Sequence, residues 1–233
     1  MHTSAKFTQL KCLLFDVDGT LYHQNSVRIR MLLDLIFQFF LNPKLGYQTL
    51  QTIRLFRENR EKLRWSSPVD RSLFELQYSQ IASKMEINAN SIKEIIAEWI
   101  LKRPLKYLKK YRRPGIVNLL NWCKEKHIAV GAFSDYPTQA KIEALGLESW
   151  FEYHLCSTDT EINAFKPSPK GILVACEKCQ VKPTELLYIG DRYDIDQAAA
   201  VAAGAQFILI GNGNDKEYPK AADFNSLLNF LRF

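Results

Sequence analysis

The run Lys11-Cys-Leu-Leu-Phe15 stops abruptly at Asp16-Val-Asp-Gly-Thr20, and that junction constrains the chain more than any other feature. A short apolar stretch of this kind reads as a buried strand, and here it delivers two carboxylates and a glycine turn at its carboxyl end. A lone strand cannot bury both of its faces. Its partners must therefore come from strand-like segments more than a hundred residues further on.

What lies between is helical. From Asn25 to Leu41 the apolar residues Ile29, Leu32, Leu33, Ile36, Phe37 and Phe40 recur at three- and four-residue steps, the spacing of an amphipathic helix. Leu50 to Leu63, Ser72 to Lys84 and Ser91 to Leu101 carry similar spacing, with no alternating strand pattern among them. Trp65, Phe74, Tyr78 and Trp99 read as core of this insert rather than as a base-stacking platform. Pro114-Gly115 then punctuates the chain, and strands at Ile128–Phe133, Tyr153–Cys156, Leu186–Ile189 and Phe207–Ile210 alternate with helices. Repeated strand–helix units predict an α/β fold, a Rossmann-like parallel sheet with helices on both faces. Two domains follow: residues 1–21 and 114–233 form the sheet core, and residues 22–113 form an all-helical insertion.

Composition narrows the class. With 47% hydrophobic and 24% charged residues the chain reads as an ordinary globular protein. Met1 to Gln9 is polar, so no secretory leader is expected, and Met31 to Leu41 is interrupted by Asp34 and Gln38 and too short to span a membrane. The expected location is the cytoplasm, without membrane attachment. Five cysteines, three of them inside apolar runs, argue against a disulfide framework, and Cys176-Glu-Lys-Cys179 reads as two plain thiols at a helix end. The net charge of +6 is uneven: residues 22–113 hold 18 Lys and Arg against 8 Asp and Glu, and the rest of the chain holds 13 against 17. A solvated helical face is the ordinary reading of such a surplus, so nucleic acid is not the expected partner.

In an open α/β sheet ligands bind at the carboxyl ends of the strands. The first strand ends there in Asp16 and Asp18, the second in Ser134 and Asp135, and Leu186–Ile189 ends in Gly190-Asp191, while Lys166 sits in the Phe-Lys-Pro-Ser-Pro loop after the third. Taken singly, each has a plainer reading: a turn, a helix cap or a surface cation. Gly211-Asn-Gly213 lacks the third glycine of a dinucleotide site and reads as a turn. His23 follows the first motif and reads as an exposed polar residue.

The set as a whole resembles the haloacid dehalogenase superfamily, whose four motifs are matched in order by DVDGT at Asp16–Thr20, FSD at Phe133–Asp135, FKP at Phe165–Pro167 and GDRYDID at Gly190–Asp196. The helical insert sits where that family carries its first type of cap. The resemblance implies that Asp16 is a covalent nucleophile and that Asp18 is an acid and base, protonated at the start of the cycle. It also implies that Lys166 balances charge, that Ser134 binds the phosphoryl group with Asp135 beside it, and that Gly19 and Thr20 shape the turn. Mg2+ would be held by Asp16, by Asp191 and by the backbone carbonyl of Asp18. Asp196, with Asp194 as its rival, would position Lys166 or hold a metal-bound water. A magnesium-dependent phosphatase of a small phosphorylated metabolite follows, working through an aspartyl phosphate. Asp18 argues against dehalogenation, which needs no second acid. A phosphomutase, or an idle fold recruiting partners through its basic cap, are the alternatives. Neither the ester nor the oligomeric state is written in the sequence.

Overall fold

A computed structural model describes residues 7, 9–66, 71–211 and 219–232. Strands β1 (Cys12–Phe15), β2 (Ala129–Ser134), β3 (Tyr153–Cys156), β4 (Leu186–Gly190), β5 (Gln206–Ile210) and β6 (Lys220–Ala221) form one sheet in the order β3-β2-β1-β4-β5-β6. Every pairing is parallel. β1 is central, flanked by β2 and β4, so the chain winds outward in both directions from it. The crevice that this reversal opens lies at the end of β1, where Asp16 follows.

Alternation along β1 sorts the core into two layers. Leu13 and Phe15 point into one cluster, with α6 (Ile116–Glu125) and α10 (Phe224–Arg232). Cys12 and Leu14 point into the other, with α8 (Lys170–Cys179) and α9 (Ala198–Ala203). All four side chains are fully buried, as a central parallel strand requires. The sequence pattern foresaw these strands to within two residues. It missed β6, because a two-residue strand has no readable period, and left α10 unread. Gly211, at the expected turn, has φ +127°, and Asn212 and Gly213 lie outside the described residues.

Between β1 and α6 run α1 (Gln24–Leu41), α2 (Pro43–Arg64), α3 (Leu73–Met85), α4 (Ala89–Ile96), a wider helical turn at Ala97–Lys102, and α5 (Leu105–Leu108). α2 begins seven residues before the spacing suggested, because Asn42 caps it, its side chain accepting from Leu45 N at 3.0 Å, and Pro43 takes the first position. Phe56, Tyr78, Ile81, Ile92 and Ile96 pack into a third cluster of their own. The two connections to the sheet run side by side: Arg113 N donates to Leu21 O and His23 N to Tyr111 O, both at 2.9 Å.

α1 departs from its expected role. The spacing called for one buried stripe, yet only Val27 and Leu35 are buried. Ile29, Leu32, Leu33, Ile36, Phe37 and Phe40 are all exposed, Phe40 by 83%. The helix is apolar around most of its circumference, and its neighbours α2 and α5 cover only part of it. Trp65 and Phe74 are likewise exposed, at 63% and 42%, rather than core; Tyr78 and Trp99 are buried. Among the described residues no helix is long and apolar enough to cross a membrane.

Candidate active site

Asp16 follows β1, and its buried carboxylate has one partner at each oxygen. Its Oδ1 accepts from Lys166 Nζ at 2.6 Å and its Oδ2 from Thr20 Oγ1 at 3.0 Å. Burial pushes the Asp16 carboxyl well above its ordinary pKa; Lys166 opposes this, and Asp196, Asp191 and Asp18 add to it. Burial alone would depress Lys166, but Asp16 and Asp196 outweigh it and hold the ammonium charged.

Asp196 is the residue that places Lys166. Its Oδ1 accepts from Lys166 Nζ at 2.7 Å, while its Oδ2 accepts the backbone N–H groups of Asp191 at 3.2 Å and Arg192 at 3.1 Å. Asp194 instead pairs with Arg192 on the surface at 2.5 Å. Of the two acids, Asp196 faces inward to Lys166 and Asp194 faces outward to Arg192. Tyr188 completes the arrangement, its hydroxyl 3.1 Å from Lys166 Nζ.

Asp191 differs from the other acids in having no hydrogen bond or ion pair to its carboxylate among the described residues. Burial and the charge of Asp196 raise its pKa to about 6, with Lys166, Arg113 and Arg192 pulling the other way. One carboxylate oxygen each from Asp16, Asp191 and Asp196 lie within 4.8 Å of one another. Such a set, with one acid unpartnered and raised by like charge, fits a hard divalent cation. The sequence reading had Asp18 in this group through its backbone; the third carboxylate is that of Asp196, and the Asp18 side chain is engaged elsewhere. Gly19 makes the approach possible: its φ is +102°, and a Cβ there would sit 2.1 Å from Asp191 Oδ2.

Asp18 is an ion-paired carboxylate. Lys141 Nζ lies 2.7 Å from its Oδ1, Ser134 Oγ donates to its Oδ2 at 3.2 Å, and the Tyr22 hydroxyl donates to Oδ1. Burial disfavours the charge, but Lys141, Tyr22 and Ser134 together more than compensate and hold its pKa below the ordinary value. This corrects the expectation that Asp18 starts protonated. The physical reason is Lys141, a buried lysine that sequence reasoning passed over. The signal was present: Lys141 lies one turn before Leu145 on the same face of α7 (Gln139–Leu145), a buried face where a solvated lysine has no place.

Ser134 ends β2 as expected, and its hydroxyl is occupied by Asp18. Asp135 stands on the cavity wall, but as an anchor. Its Oδ2 meets Arg64 Nη1 at 2.8 Å and its Oδ1 accepts from Ser157 at 2.6 Å. A carboxylate repels a phosphoryl group, so the expectation that Asp135 binds one gives way to that of a tie between α2 and the sheet. Arg60, also on α2, donates to Asp135 O at 2.7 Å and lies 3.7 Å above the Tyr136 ring. Neither arginine was singled out from the sequence, where α2 is simply basic. His23 precedes α1 and is exposed.

Asp16, Asp18, Ser134, Lys141, Lys166 and Asp191 line one cavity of about 720 Å³ between the strand ends and the helical insert. Comparison with known proteins fits this geometry. The family model for haloacid dehalogenase-like hydrolase matches residues 10–204. A glyceraldehyde 3-phosphate phosphatase of Methanopyrus kandleri is 29% identical over 210 residues, covering 88% of this chain and 85% of that one. In fold, the chain is similar to a 2-haloacid dehalogenase of Pseudomonas syringae pv. Tomato DC3000, with TM-score 0.66 and 18% identity over 96% of this chain and 98% of the other. It is also similar to a HAD phosphatase of Thermococcus onnurineus, with TM-score 0.66 and 19% identity over 95% and 98%. A family match across the sheet core and the insert, on a chain whose strand ends gather these acids and this lysine, makes the protein a haloacid dehalogenase-like hydrolase.

Proposed function

We propose that this hydrolase is a magnesium-dependent phosphatase of phosphomonoesters, with Asp16 as its nucleophile. The observation that carries the reading is the buried Asp16–Lys166 pair at 2.6 Å beside the unpartnered carboxylate of Asp191. A carboxylate and the cation that balances its charge stand together at a strand end, on the wall of the cavity and beside a second acid whose carboxylate has no partner among the described residues. The curated relative that acts on a phosphate ester supports the same choice.

In this reading residues 22–113 work as a cap over a core of residues 1–21 and 114–233. Asp16, Asp191 and Asp196 would hold Mg2+, with the backbone of Asp18 as a further ligand. When bound, the ion neutralises phosphoryl oxygens and so lowers the repulsion facing an anionic nucleophile. An Asp16 oxygen attacks phosphorus, the ester P–O bond breaks, and an aspartyl phosphate forms. Water then attacks that phosphorus and regenerates Asp16. Lys166, fixed by Asp196 and Tyr188, opposes the protonation that burial favours at Asp16 and faces the incoming phosphate. Ser134 is the hydroxyl placed to donate to a phosphoryl oxygen once Asp18 releases it. Asp18 must hand a proton to the departing alkoxide, and its proton source is the Lys141 ammonium hydrogen-bonded to it. The pair returns to its ionised state as the attacking water gives up its proton.

Phosphate release from acetyl phosphate and an aryl phosphate, with and without Mg2+, tests the proposal on native protein and Asp16→Asn. Magnesium-dependent release by the native chain, lost by at least about a thousandfold in the variant, is expected. Folded native protein that releases no phosphate with magnesium present would sink it.

A further inference from the structure

The cavity is much larger than a triose phosphate needs, and its walls change character along their length. α2 carries Arg64, Glu61, Arg60, Arg57, Ile53 and Leu50 on its cavity side, with Glu61 paired to Arg64. Arg64 and Arg60 touch Asp135 at the sheet end, and Leu50 is half-exposed at the far end. At 1.5 Å per residue this gradient from cation to hydrocarbon extends over about 21 Å. α1 repeats it: Gln24, Asn25 and Arg28 near the strand ends give way to Met31, Leu32 and Leu35. Two antiparallel helices thus agree on which end of the cavity is polar and which is oily.

Some cations at the polar end lack partners. Arg28 and Arg57 make no hydrogen bond or ion pair among the described residues, and Arg60 Nε is buried with no acceptor. At the other end the oily lining does not stop at the mouth. Leu32 lines the cavity yet is 55% exposed, and Ile36, Phe37 and Phe40 continue the apolar surface along α1. A small polar ester would leave this wall wet, which costs free energy in proportion to the apolar area exposed.

We propose that the substrate is an amphiphile: a phosphomonoester carrying a long apolar tail, its head at Asp16 and its tail running between α1 and α2 toward Leu32 and Leu50. The inference rests on the phosphatase reading and narrows it. The basic walls draw the anionic head inward, and the hydrocarbon of the tail replaces water along the gradient.

The test is a series of monoalkyl phosphates from ethyl to dodecyl, each below its aggregation threshold, with acetyl phosphate and glyceraldehyde 3-phosphate alongside. kcat/KM is expected to climb roughly threefold per methylene through the middle of the series. Leu32→Asp is expected to cut the dodecyl-to-ethyl ratio at least about tenfold, because a charge at the mouth opposes the tail. Leu32 is half-exposed, so this variant should fold. Calorimetric binding of the same series to Asp16→Asn reads tail recognition without turnover. Dodecyl phosphate presented free and in phosphatidylcholine vesicles separates the two sources: turnover of the free ester assigns a soluble amphiphile, and turnover only on vesicles assigns a membrane-held one. Phosphate release that ignores chain length, with binding equally indifferent, overturns the inference and leaves the phosphatase standing. Binding that tightens with length but no release from any ester, acetyl phosphate included, keeps the tail site and overturns the phosphatase.

Discussion

Lys141 Nζ lies 2.7 Å from Asp18 Oδ1, so the second acid of the first motif is neutralised by a lysine from a helix 123 residues away in sequence. With side chains only 6% and 15% exposed, the two depend on each other for charge compensation. Removing one partner of such a buried pair costs about 3 kcal/mol, since the survivor is left uncompensated. Lys141→Met is expected to lower stability by about that amount in denaturant titration. It is also expected to raise the pKa of Asp18 and, because the proton for the leaving group must then be held by Asp18 alone, to bring the basic limb of the kcat/KM–pH profile down toward that pKa. Lys141→Arg should recover most of the stability. An unshifted limb in Lys141→Met would remove Lys141 from the proton bookkeeping.

Asp135 ties α2 to the sheet, and its carboxyl is the group whose ionisation makes that tie sensitive to acid. Burial raises its pKa, but Lys166, Arg64 and Arg60 prevail and hold it at about 2 against an ordinary 3.8. A depressed folded-state pKa means the stabilisation is complete above pH ~4 and disappears as pH falls from there toward 2. The part at stake is about 2 kcal/mol. Asp135→Asn should flatten that stretch of the stability–pH curve relative to native protein; parallel curves would count against the tie.

Asp191 titrates where a divalent cation would bind, its pKa raised to about 6 by burial and the nearby Asp196. A ligand carboxylate must lose its proton first. Mg2+ affinity, measured by calorimetry, is expected to fall about tenfold between pH 7 and pH 5, and Asp191→Asn should abolish most binding at either pH. Affinity that does not change with pH would detach Asp191 from the ion.

Two apolar positions of the insert should respond in opposite ways to truncation. Ile92 is fully buried in the cluster of α2, α3 and α4, so Ile92→Ala is expected to cost about 3 kcal/mol. Phe40 stands 83% exposed, so Phe40→Ser should change stability by no more than about 0.5 kcal/mol. Thermal unfolding decides both, and a large loss from Phe40→Ser would mean that its side chain is covered in solution.

Asp16, Asp18 and Asp191 were legible because each follows a strand-like run, and strand ends converge once parallel pairing is granted, whereas Lys166, in a loop ten residues past β3, was legible only through its motif. Local patterns sufficed for β1 to β5 and for α1, since apolar period and capping are short-range properties. Lys141 was not legible as the partner of Asp18, nor Asp196 over Asp194 as the partner of Lys166, because the sense of a side chain, inward or outward, depends on what packs against its element. Nor could the sequence tell that α1 keeps most of its apolar residues exposed. A helical period states which residues share a face, but how many faces are covered is decided by how many neighbours the tertiary fold brings. The cavity gradient is of that kind: Arg57 and Leu50 on α2, and Arg28 and Leu32 on α1, acquire a common meaning only when two helices lie antiparallel over one strand end.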